Sequence, residues 1–548
     1  MRTTLRGIAA GAISGLLGAL AFPSPGITLL AFVCLVPLFL HLRAREGSGP
    51  GWPFFSFGLC YFTVGLWWLA TILTPAGPVL LALILTLLFA WPAGHLLGLL
   101  LRHRVPAAPA TVLVWVGFDW LRGWLFTGFP WLYLAHSQAE HTSLVQAADL
   151  FGAHGVTAVI VLVNAGIVET VRRAAARRGG RAAAALLPAA VAVGALLCYG
   201  AMRAPSIRER EGPRILLVQG NVPQFMKEDA WRVAPDTPRT ADDILARHLA
   251  LTREGIAKDP AVELVVWPET TFPYRTTDEP GPERDAWRRL CARRLAAVAA
   301  AAGRPVVFGS LHRTAAGEPR NSAWLMSSDG RLLTRYDKVH LVPGGEYIPL
   351  SKVAPEPLVT VVARLIRESA GFVPDLTEGS GTALFRAAGL VLGPVVCYEV
   401  AYPGLARDAV RAGADAILNL TNYGWWPGTS MPAQATQMAI FRAIENRRPV
   451  VVAANTGVTG IIDARGVLRV AVSVEGRRTD VRGTVSAAVP LCGSRSAWTL
   501  LGDLPAGLCL VGALLWLPAR WLAALRRRRL ALFRLDTPEG SSNNGRSS

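Results

Sequence analysis

The chain has 548 residues, of which 52% are hydrophobic and only 17% charged, so it is too apolar for an ordinary soluble protein. Its formal net charge of +18 could suggest nucleic acid as a partner, but the arginines cluster in short loops between apolar segments, which argues against it. The seven cysteines and nine histidines are scattered without a CxxC pair, so we expect no disulfide framework, metal site or cofactor.

Residues 1–200 consist mainly of apolar segments, each close to the roughly 20 residues that a membrane-spanning helix needs. Seven are predicted, at 7–22, 27–42, 54–73, 78–101, 107–125, 153–171 and 183–200, and an eighth at 499–523. The first follows Arg2 and Arg6, as in a signal peptide, but further spans come directly after it, so we expect it to be retained. The sequence thus predicts a membrane α-helical bundle of eight transmembrane helices.

Positive charge falls in alternate loops between these segments. Arginines precede the first segment, follow the second, fourth and sixth, and fill the tail at 526–548, whereas the loops 23–26 and 74–77 carry no charge. Lys and Arg accumulate on the cytoplasmic side of membrane proteins. We therefore expect both termini in the cytoplasm, residues 201–495 outside, and a last span at 496–525.

The connection at 118–138 is rich in Trp, Phe and Tyr, which favour the boundary between membrane and water. We expect an interfacial or re-entrant segment on the outer side. Asp119 and Arg122 lie three residues apart, close enough on a helix to pair. A structural ion pair is the preferred interpretation, with a substrate contact as the alternative.

Residues 201–495 alternate short β-rich runs with helical patterns, which predicts a layered α/β domain. The β-rich runs are 214–220, 263–269, 304–310, 390–399, 416–422 and 449–455, and the helical patterns are about 239–257, 284–302 and 432–447. Asp329-Gly330 separates two further runs and predicts a hairpin.

Three residues near the ends of these runs could act together in catalysis. A cysteine nucleophile needs a base to accept its proton and a cation to stabilise the developing oxyanion. Cys397, Glu269 and Lys338 supply these three groups. Taken alone, Cys397 at the end of a buried strand is better explained by core filling, because free cysteines are usually buried. His312 and His340 would permit a Cys–His enzyme, although the Glu–Lys–Cys pattern leaves them no required role.

The motifs around these residues resemble those of the nitrilase superfamily. They are "WPE" ending at Glu269, "YDKVHLVPGGEYIP" from Tyr336, and "CYE" from Cys397. The resemblance implies an αββα sandwich in which Glu269 is the general base, Lys338 stabilises the oxyanion and Cys397 is the nucleophile. It also implies supporting roles for a second glutamate, Glu346, and for the residues after the nucleophile, Tyr398 and Glu399.

The combination of several spans before this domain and one after it resembles the apolipoprotein N-acyltransferases of bacterial inner membranes. The segments 121–132, 218–227, 441–449 and 455–463 also resemble that family. The resemblance implies a phospholipid acyl donor, a thioester on Cys397, and an acceptor amine on the diacylglyceryl-cysteine of an apolipoprotein. It further implies a catalytic domain on the periplasmic face of the inner membrane.

Two segments near the site are candidates for lipid contact. The apolar segment 358–366 predicts a membrane-dipping arm, with a buried helix as the alternative. Trp425 and Trp426, within 421–430, predict a lid or acyl-contacting loop.

Some positions depart from the family's usual pattern. Ala435 stands where a histidine is frequent, and Val452 where an arginine is frequent. Both lie outside the triad, so acyl transfer stays the main hypothesis. Two alternatives remain open: a membrane-tethered nitrilase-like amidase or hydrolase, which would pass the thioester to water, and a transporter or membrane scaffold whose outer domain only binds.

Overall fold

The computed structural model describes residues 2–44, 51–176, 182–232, 239–349, 351, 354–370 and 375–516. In its first half the helices are α1 (Arg2–Leu20), α2 (Val36–Ala44), α3 (Gly51–Gly65), α4 (Ala70–Leu73), α5 (Ala76–Leu85), α6 (Trp91–Arg102), α7 (Ala107–Arg122), α8 (Thr142–Val145), α9 (Ala148–Ala175) and α10 (Leu187–Ser206). These helices pack together and form an apolar bundle. The expected tail at 526–548 lies outside the described residues.

Within the described residues, four helices are long and apolar enough to cross a membrane: Thr3–Leu20, Ala76–Arg102, Ala148–Ala175 and Ala183–Ser206. The pair Gly51–Gly65 and Trp67–Leu73, bent by 56°, makes a fifth if it counts as one span. The predicted second and eighth spans contain shorter apolar helices, Thr28–Ala44 and Leu504–Trp516. Membrane segments are therefore supported, while the predicted number of eight is not confirmed.

In the second predicted span, the α-helix is shorter than the apolar run of the sequence. Thr28–Phe32 forms a 3₁₀ turn, and α2 starts only at Val36 with Pro37 in its first turn. Proline has no N–H to donate and fits the first turn of a helix but not its interior. The predicted fifth span likewise becomes α7, which has 16 residues.

Besides the apolar helix Leu504–Trp516, the second half contains thirteen strands and seven further helices among the described residues. The strands are β1 (Glu209–Gln219), β2 (Leu264–Val266), β3 (Thr276–Thr277), β4 (Val306–Arg313), β5 (Pro319–Met326), β6 (Leu332–Asp337), β7 (Phe385–Ala387), β8 (Leu390–Val396), β9 (Ala416–Thr421), β10 (Val450–Ala454), β11 (Gly460–Ile462), β12 (Leu468–Ala471) and β13 (Gly483–Cys492). The helices are α11 (Gln224–Arg232), α12 (Arg239–Lys258), α13 (Pro282–Ala302), α14 (Glu356–Ala370), α15 (Pro403–Arg411), α16 (Met431–Asn446) and α17 (Ala497–Leu501).

The strands form two sheets, in the orders β13-β1-β2-β4-β5-β6, with β3 beside β4, and β12-β11-β10-β9-β8-β7. Successive residues of β1 explain how the layers stack. Ile215 and Leu217 belong to the core between the sheets, whereas Leu216 and Val218 pack under α12 and α13. Alternate side chains of a strand point to opposite faces, so a continuous apolar run is buried on both. The result is the expected αββα arrangement of a nitrilase-like α/β domain.

Several expectations about single elements are confirmed. β5 and β6 pair antiparallel around Asp329-Gly330, and Gly330 has the positive φ of +90° that this turn uses. Asp119 and Arg122 form an ion pair of 2.9 Å on α7. Arg122 also donates to the carbonyl of Phe129 at 2.8 Å, so the pair orders the segment after α7.

Part of the aromatic segment 118–138 differs from the expectation. Trp124 and Phe126 are exposed, as an interfacial position requires, but Trp131 is buried. The indole N–H of Trp131 donates to Gln434 of α16 at 2.7 Å, and that of Trp68 donates to the same oxygen at 3.1 Å. This stretch therefore connects the bundle to the α/β domain through buried hydrogen bonds.

A buried ionic cluster joins the same two parts. Arg447, directly after α16, binds the carboxylate of Asp149 on α9 at 2.8 Å, and both side chains are almost fully buried. Arg447 also donates to the side-chain oxygen of Gln146 at 2.7 Å. Tyr199 and Arg203 of α10 also donate hydrogen bonds to the carboxylate of Asp149, at 2.7 and 2.8 Å. Every one of these contacts depends on residues far apart in the chain.

Candidate active site

Cys397 lies immediately after β8, at the first position of a 3₁₀ turn that ends at Ala401. Its φ of +54° is in the left-handed region, which is costly for any residue with a Cβ. Glu399 holds the turn, because its carboxylate accepts the backbone N–H of Val396 at 2.6 Å. The predicted strand 390–399 thus ends earlier, and the thiol projects from a strained turn beside the end of β9.

Burial raises the pKa of the Cys397 thiol to about 12, and the carboxylate of Glu269 adds to this effect. Lys338, the hydroxyl of Thr421 and the backbone N–H of Asn422 act in the opposite direction. The resting thiol is therefore protonated at neutral pH. A nucleophilic role requires a base at hand to take the proton during attack.

Glu269 follows β2 and is 5% exposed. Its carboxylate accepts the amide N–H of Asn321 at 2.7 Å and lies 3.7 Å from the ammonium of Lys338. The next residue, Thr270, has a φ of +50°, so the acid also sits at a strained turn. A buried carboxylate that is hydrogen-bonded on one side is oriented to accept a proton on the other.

Lys338 follows β6, and its side chain is 1% exposed. Its ammonium binds Glu346 at 2.9 Å. Burial alone would lower the pKa of Lys338, but the carboxylates of Glu346 and Glu269 raise it above its usual range. The lysine therefore stays charged and supplies a fixed cation inside the site.

Glu399 links the nucleophile to the lysine. Besides Val396, its carboxylate accepts the backbone N–H groups of Val339 and His340, at 2.7 and 2.9 Å, and the hydroxyl of Tyr336. These donors come from the segment that carries Lys338. Burial raises the pKa of Glu399 to about 7, and the backbone donors oppose that rise. The supporting role that the resemblance implies for Glu399 stays a prediction.

Sequence reasoning missed two residues that contact the triad. Asn321, on β5, donates its amide to Glu269 and also to Glu346, at 2.7 and 3.0 Å. Lys227, on α11, is 1% exposed and donates to the carbonyl of Glu269 and the hydroxyl of Thr270, at 3.1 and 3.3 Å. Lys227 thereby fixes the turn that carries Glu269. It lies inside the segment 218–227 that was singled out, but an isolated lysine gives no signal of burial.

The triad lines a cavity of about 330 Å³. Leu69, Ile72 and Leu73, at or next to α4, form one apolar wall of it. Trp425 and Trp426 also line it, and the ring of Trp426 meets that of Trp68 edge-on at 5.3 Å between centroids. The bundle and the α/β domain thus share one cavity around the thiol.

Tyr398 faces away from this cavity towards the bundle. Its ring stacks on Trp131 at 6.1 Å between centroids and 14° between planes, and its hydroxyl accepts from Tyr402 at 3.1 Å. His340 stacks on Tyr402 at 4.0 Å. His312 lines the far end of the cavity but bonds Thr276. Neither histidine has a hydrogen bond to Cys397 in the described part of the chain.

The two departures from the family pattern are buried. Ala435 lies on α16 and Val452 on β10, at 2% and 8% exposure, and neither lines the cavity of the triad.

The chain is similar to known proteins along most of its length. A family described as the apolipoprotein N-acyltransferase N-terminal domain matches residues 14–166, and one described as carbon-nitrogen hydrolase matches residues 214–491. The apolipoprotein N-acyltransferase of Geobacter metallireducens is 31% identical over 537 residues, which is 95% of each chain. Those of Allorhizobium ampelinum and Rhizobium meliloti are both 32% identical, over 85% and 88% of this chain and 86% and 89% of theirs.

Proposed function

This chain belongs to the apolipoprotein N-acyltransferase family, and from that premise we propose that it moves an acyl chain from a phospholipid, through a thioester on Cys397, to the α-amino group of a diacylglyceryl-cysteine at a lipoprotein's N-terminus. One observation carries the proposal. The thiol, the acid Glu269 and the cation Lys338 share a cavity that is also lined by apolar residues of the membrane bundle. A lipid ester fits such a cavity better than a small amide does.

In the first half of the reaction, Glu269 takes the proton of the Cys397 thiol while the sulfur attacks the ester carbonyl. Lys338 stabilises the oxyanion of the tetrahedral intermediate, together with the backbone N–H of Asn422. The carbon–oxygen bond then breaks, and Glu269 returns its proton to the leaving alkoxide. A lysophospholipid departs and the acyl group remains on sulfur.

In the second half, the neutral amine of the acceptor attacks the thioester carbonyl. Glu269 takes a proton from the attacking nitrogen, the carbon–sulfur bond breaks, and the proton returns to the sulfur of Cys397. The product is an amide. A thioester reacts with amines more readily than the original oxygen ester does, so the step is favourable, provided that water is kept out.

The same proposal includes a topology. Seven spans in residues 1–200 would precede a catalytic domain at 201–495, which would face the periplasm, and an eighth at 496–525 would return the chain to a cytoplasmic tail at 526–548. The support comes from the arginines of alternate loops and from the apolar helices of the bundle. A position against the outer face of the inner membrane would let acyl chains reach Cys397 without crossing water.

Two elements would contact lipid. In α14 the side chain of Val361 is 51% exposed, so at this position the helix is not buried, and an arm resting on the membrane is the better interpretation. Trp425 and Trp426, at the cavity wall, would contact the acyl chain.

The experiment that tests the function uses the purified protein, a phospholipid with a labelled acyl chain, and intact-protein mass spectrometry. We expect the mass of one acyl group on Cys397, and its transfer to a diacylated lipopeptide added afterwards. Cys397→Ser is the control, because serine lacks the acidity of the thiol and forms an ester that amines take less readily. Release of free fatty acid without transfer would favour a hydrolase, and an unmodified protein would favour a scaffold.

A further inference from the structure

The cavity that contains Cys397 extends beyond Glu269 to two arginines that have no part in the triad. Arg275 and Arg313 both line it. Arg275 lies between Glu269 and β3, and Arg313 is the last residue of β4. The reaction as derived so far gives neither residue a role.

The register of the strands places these arginines relative to the triad. Asn321, which contacts Glu269, is paired with Leu311 on β4. Arg313 is two residues further along β4, about 7 Å at the usual rise of a strand, and its side chain points to the same face. Thr276 of β3 is paired with His312, so Arg275 lies level with Leu311. Along the sheet, both arginines therefore lie close to the level of Asn321, which contacts Glu269.

Arg275 carries a charge without a matching partner. The buried Nε of its guanidinium has no hydrogen bond, and within the described residues the group forms no ion pair. Burial lowers the pKa of Arg275, Arg313 adds to this effect and Asp375 opposes it, yet an arginine remains charged in a protein. A partly buried charge without an acceptor is costly, and an anionic ligand would remove that cost.

The cavity suits a ligand with a small negative charge, because acidic side chains line it as well as the two arginines. Arg313 donates to the carbonyl of Gly317 at 2.7 Å, which fixes its position. The acidic side chains of Asp375 and Glu228 also line the cavity. Neither lies within ion-pair distance of Arg275 or Arg313 in the described structure. The planar guanidinium group matches the oxygens of a phosphate.

We propose that Arg275 and Arg313 bind the phosphodiester of the acyl donor and thereby place its ester at Cys397. The inference rests on the proposed function and makes it more specific. The two lipid substrates are alike in their diacylglyceryl parts, and only the donor carries a phosphate. The glycerol backbone separates the ester from the phosphate by a distance of the same order as the ~7 Å between Leu311 and Arg313 along β4. The arginines thus let one cavity distinguish donor from acceptor.

The test compares two acyl donors on the whole protein in detergent. Acylation of Cys397 is followed by mass spectrometry with phosphatidylglycerol and with a p-nitrophenyl acyl ester, which has no phosphate. Arg275→Gln and Arg313→Gln should each lower kcat/KM for the phospholipid about 10- to 100-fold, the size expected for a hydrogen bond to a charged group. The rate with the p-nitrophenyl ester should be unchanged. Arg275→Lys should retain part of the activity, because it keeps the charge.

Arg331 provides the matched control. It is exposed, is paired with Asp329 at 2.8 Å and does not line the cavity. Arg331→Gln changes the net charge equally, so it should affect neither donor. Equal losses with both donors in Arg275→Gln, or no loss at all, would overturn the anion site. So would the same defect in Asp375→Asn, which would mean that Arg275 serves only to pair with Asp375.

Three further outcomes test the anion site and the proposed function separately. If inorganic phosphate inhibits turnover of the phospholipid but not of the p-nitrophenyl ester, the anion site is supported, and if it inhibits both donors equally, the anion site is wrong. If the wild-type protein accepts the p-nitrophenyl ester but never a phospholipid, the proposed function itself is wrong and the anion site falls with it. If the wild-type protein uses phospholipid and the arginine variants use it equally well, only the anion site is wrong.

Discussion

Lys338 supplies positive charge to two carboxylates and, in the proposed reaction, to the oxyanion. Replacing it by alanine leaves Glu269 and Glu346 joined only through Asn321. We expect Lys338→Ala to slow acylation of Cys397 roughly 10²- to 10³-fold, the loss expected for one oxyanion-stabilising group. Single-turnover acylation measured by mass spectrometry gives the rate.

Lys338→Arg serves as the comparison, because it keeps the charge but replaces a compact ammonium with a planar fork. It should restore the rate only in part. Unchanged acylation in Lys338→Ala would reduce the lysine to a structural ion pair.

Lys227 permits a prediction about pH. Burial lowers its pKa to about 7, against 10.5 for an ordinary lysine, while Glu269 and Cys397 oppose the shift. Below pH 7 the folded protein holds a buried charge, and between pH 7 and 10.5 only the unfolded chain binds that proton, so stability rises with pH in this window. Lys227→Met lacks this effect. The thermal midpoint of the variant, relative to wild type, should therefore fall as pH rises from about 7 to 10.

Lys258→Met is the control for this series, because the side chain of Lys258 is 69% exposed. Its midpoint should follow that of the wild-type protein across the same range. A constant difference between Lys227→Met and wild type from pH 7 to 10 would contradict burial of an uncharged amine.

The residues of the site differ in how well the sequence could predict them. Cys397, Glu269 and Lys338 come with motifs of fixed order, and the structure brings all three into one cavity. Asn321 and Lys227 reach the site from elements 52 and 42 residues away from Glu269. A lone asparagine or lysine leaves no pattern in a sequence. Such contacts become visible only when strand register and helix packing are known.

At the scale of elements, strands were predicted better than membrane helices. A continuous apolar run such as 214–220 fits a strand buried on both faces, and β1 is one. Apolar runs in the first half are equally clear, but their helices break at positions such as Pro37 and bend by 56° after Gly65. Composition measures how apolar a run is, whereas breaks depend on packing against neighbouring helices.

The amphipathic helix α14 carries the prediction at this scale. If Val361 rests on the membrane, Val361→Asp adds a cost of up to about 3 kcal/mol to the docked state of the helix. We expect phospholipid turnover in membranes to fall, while the thermal midpoint in detergent and acylation by a short soluble ester persist. The measurements are turnover in proteoliposomes and thermal unfolding in detergent.

Thr360→Asp is the matched control, because Thr360 is exposed and neighbours Val361 but belongs to the face of Arg364 and Arg367. It should leave both measurements unchanged. A collapse of the thermal midpoint in Val361→Asp would show that the helix belongs to the core and that the arm interpretation is wrong.

At the scale of the whole molecule, the proposed orientation in the membrane can be tested by labelling a single exposed position. Ala316 is exposed in the turn between β4 and β5, far from the bundle in sequence. Ala316→Cys should react with a membrane-impermeant maleimide applied from the periplasmic side, because the proposed topology places the domain there. Native cysteines, including the exposed Cys198, make the parent protein the necessary background. Labelling only after access to the cytoplasmic face would reverse the topology.

The ionic cluster of Arg447 and Asp149 constrains how this protein can be assembled and how it can change in evolution. Arg447 completes the end of α16, a helix of the catalytic core, with a carboxylate that only the bundle provides. A secreted catalytic half would leave Arg447 without the carboxylate of Asp149 and the side-chain oxygen of Gln146. Recombination that joins this α/β domain to a foreign membrane anchor would have to transfer Asp149 and Gln146 with it.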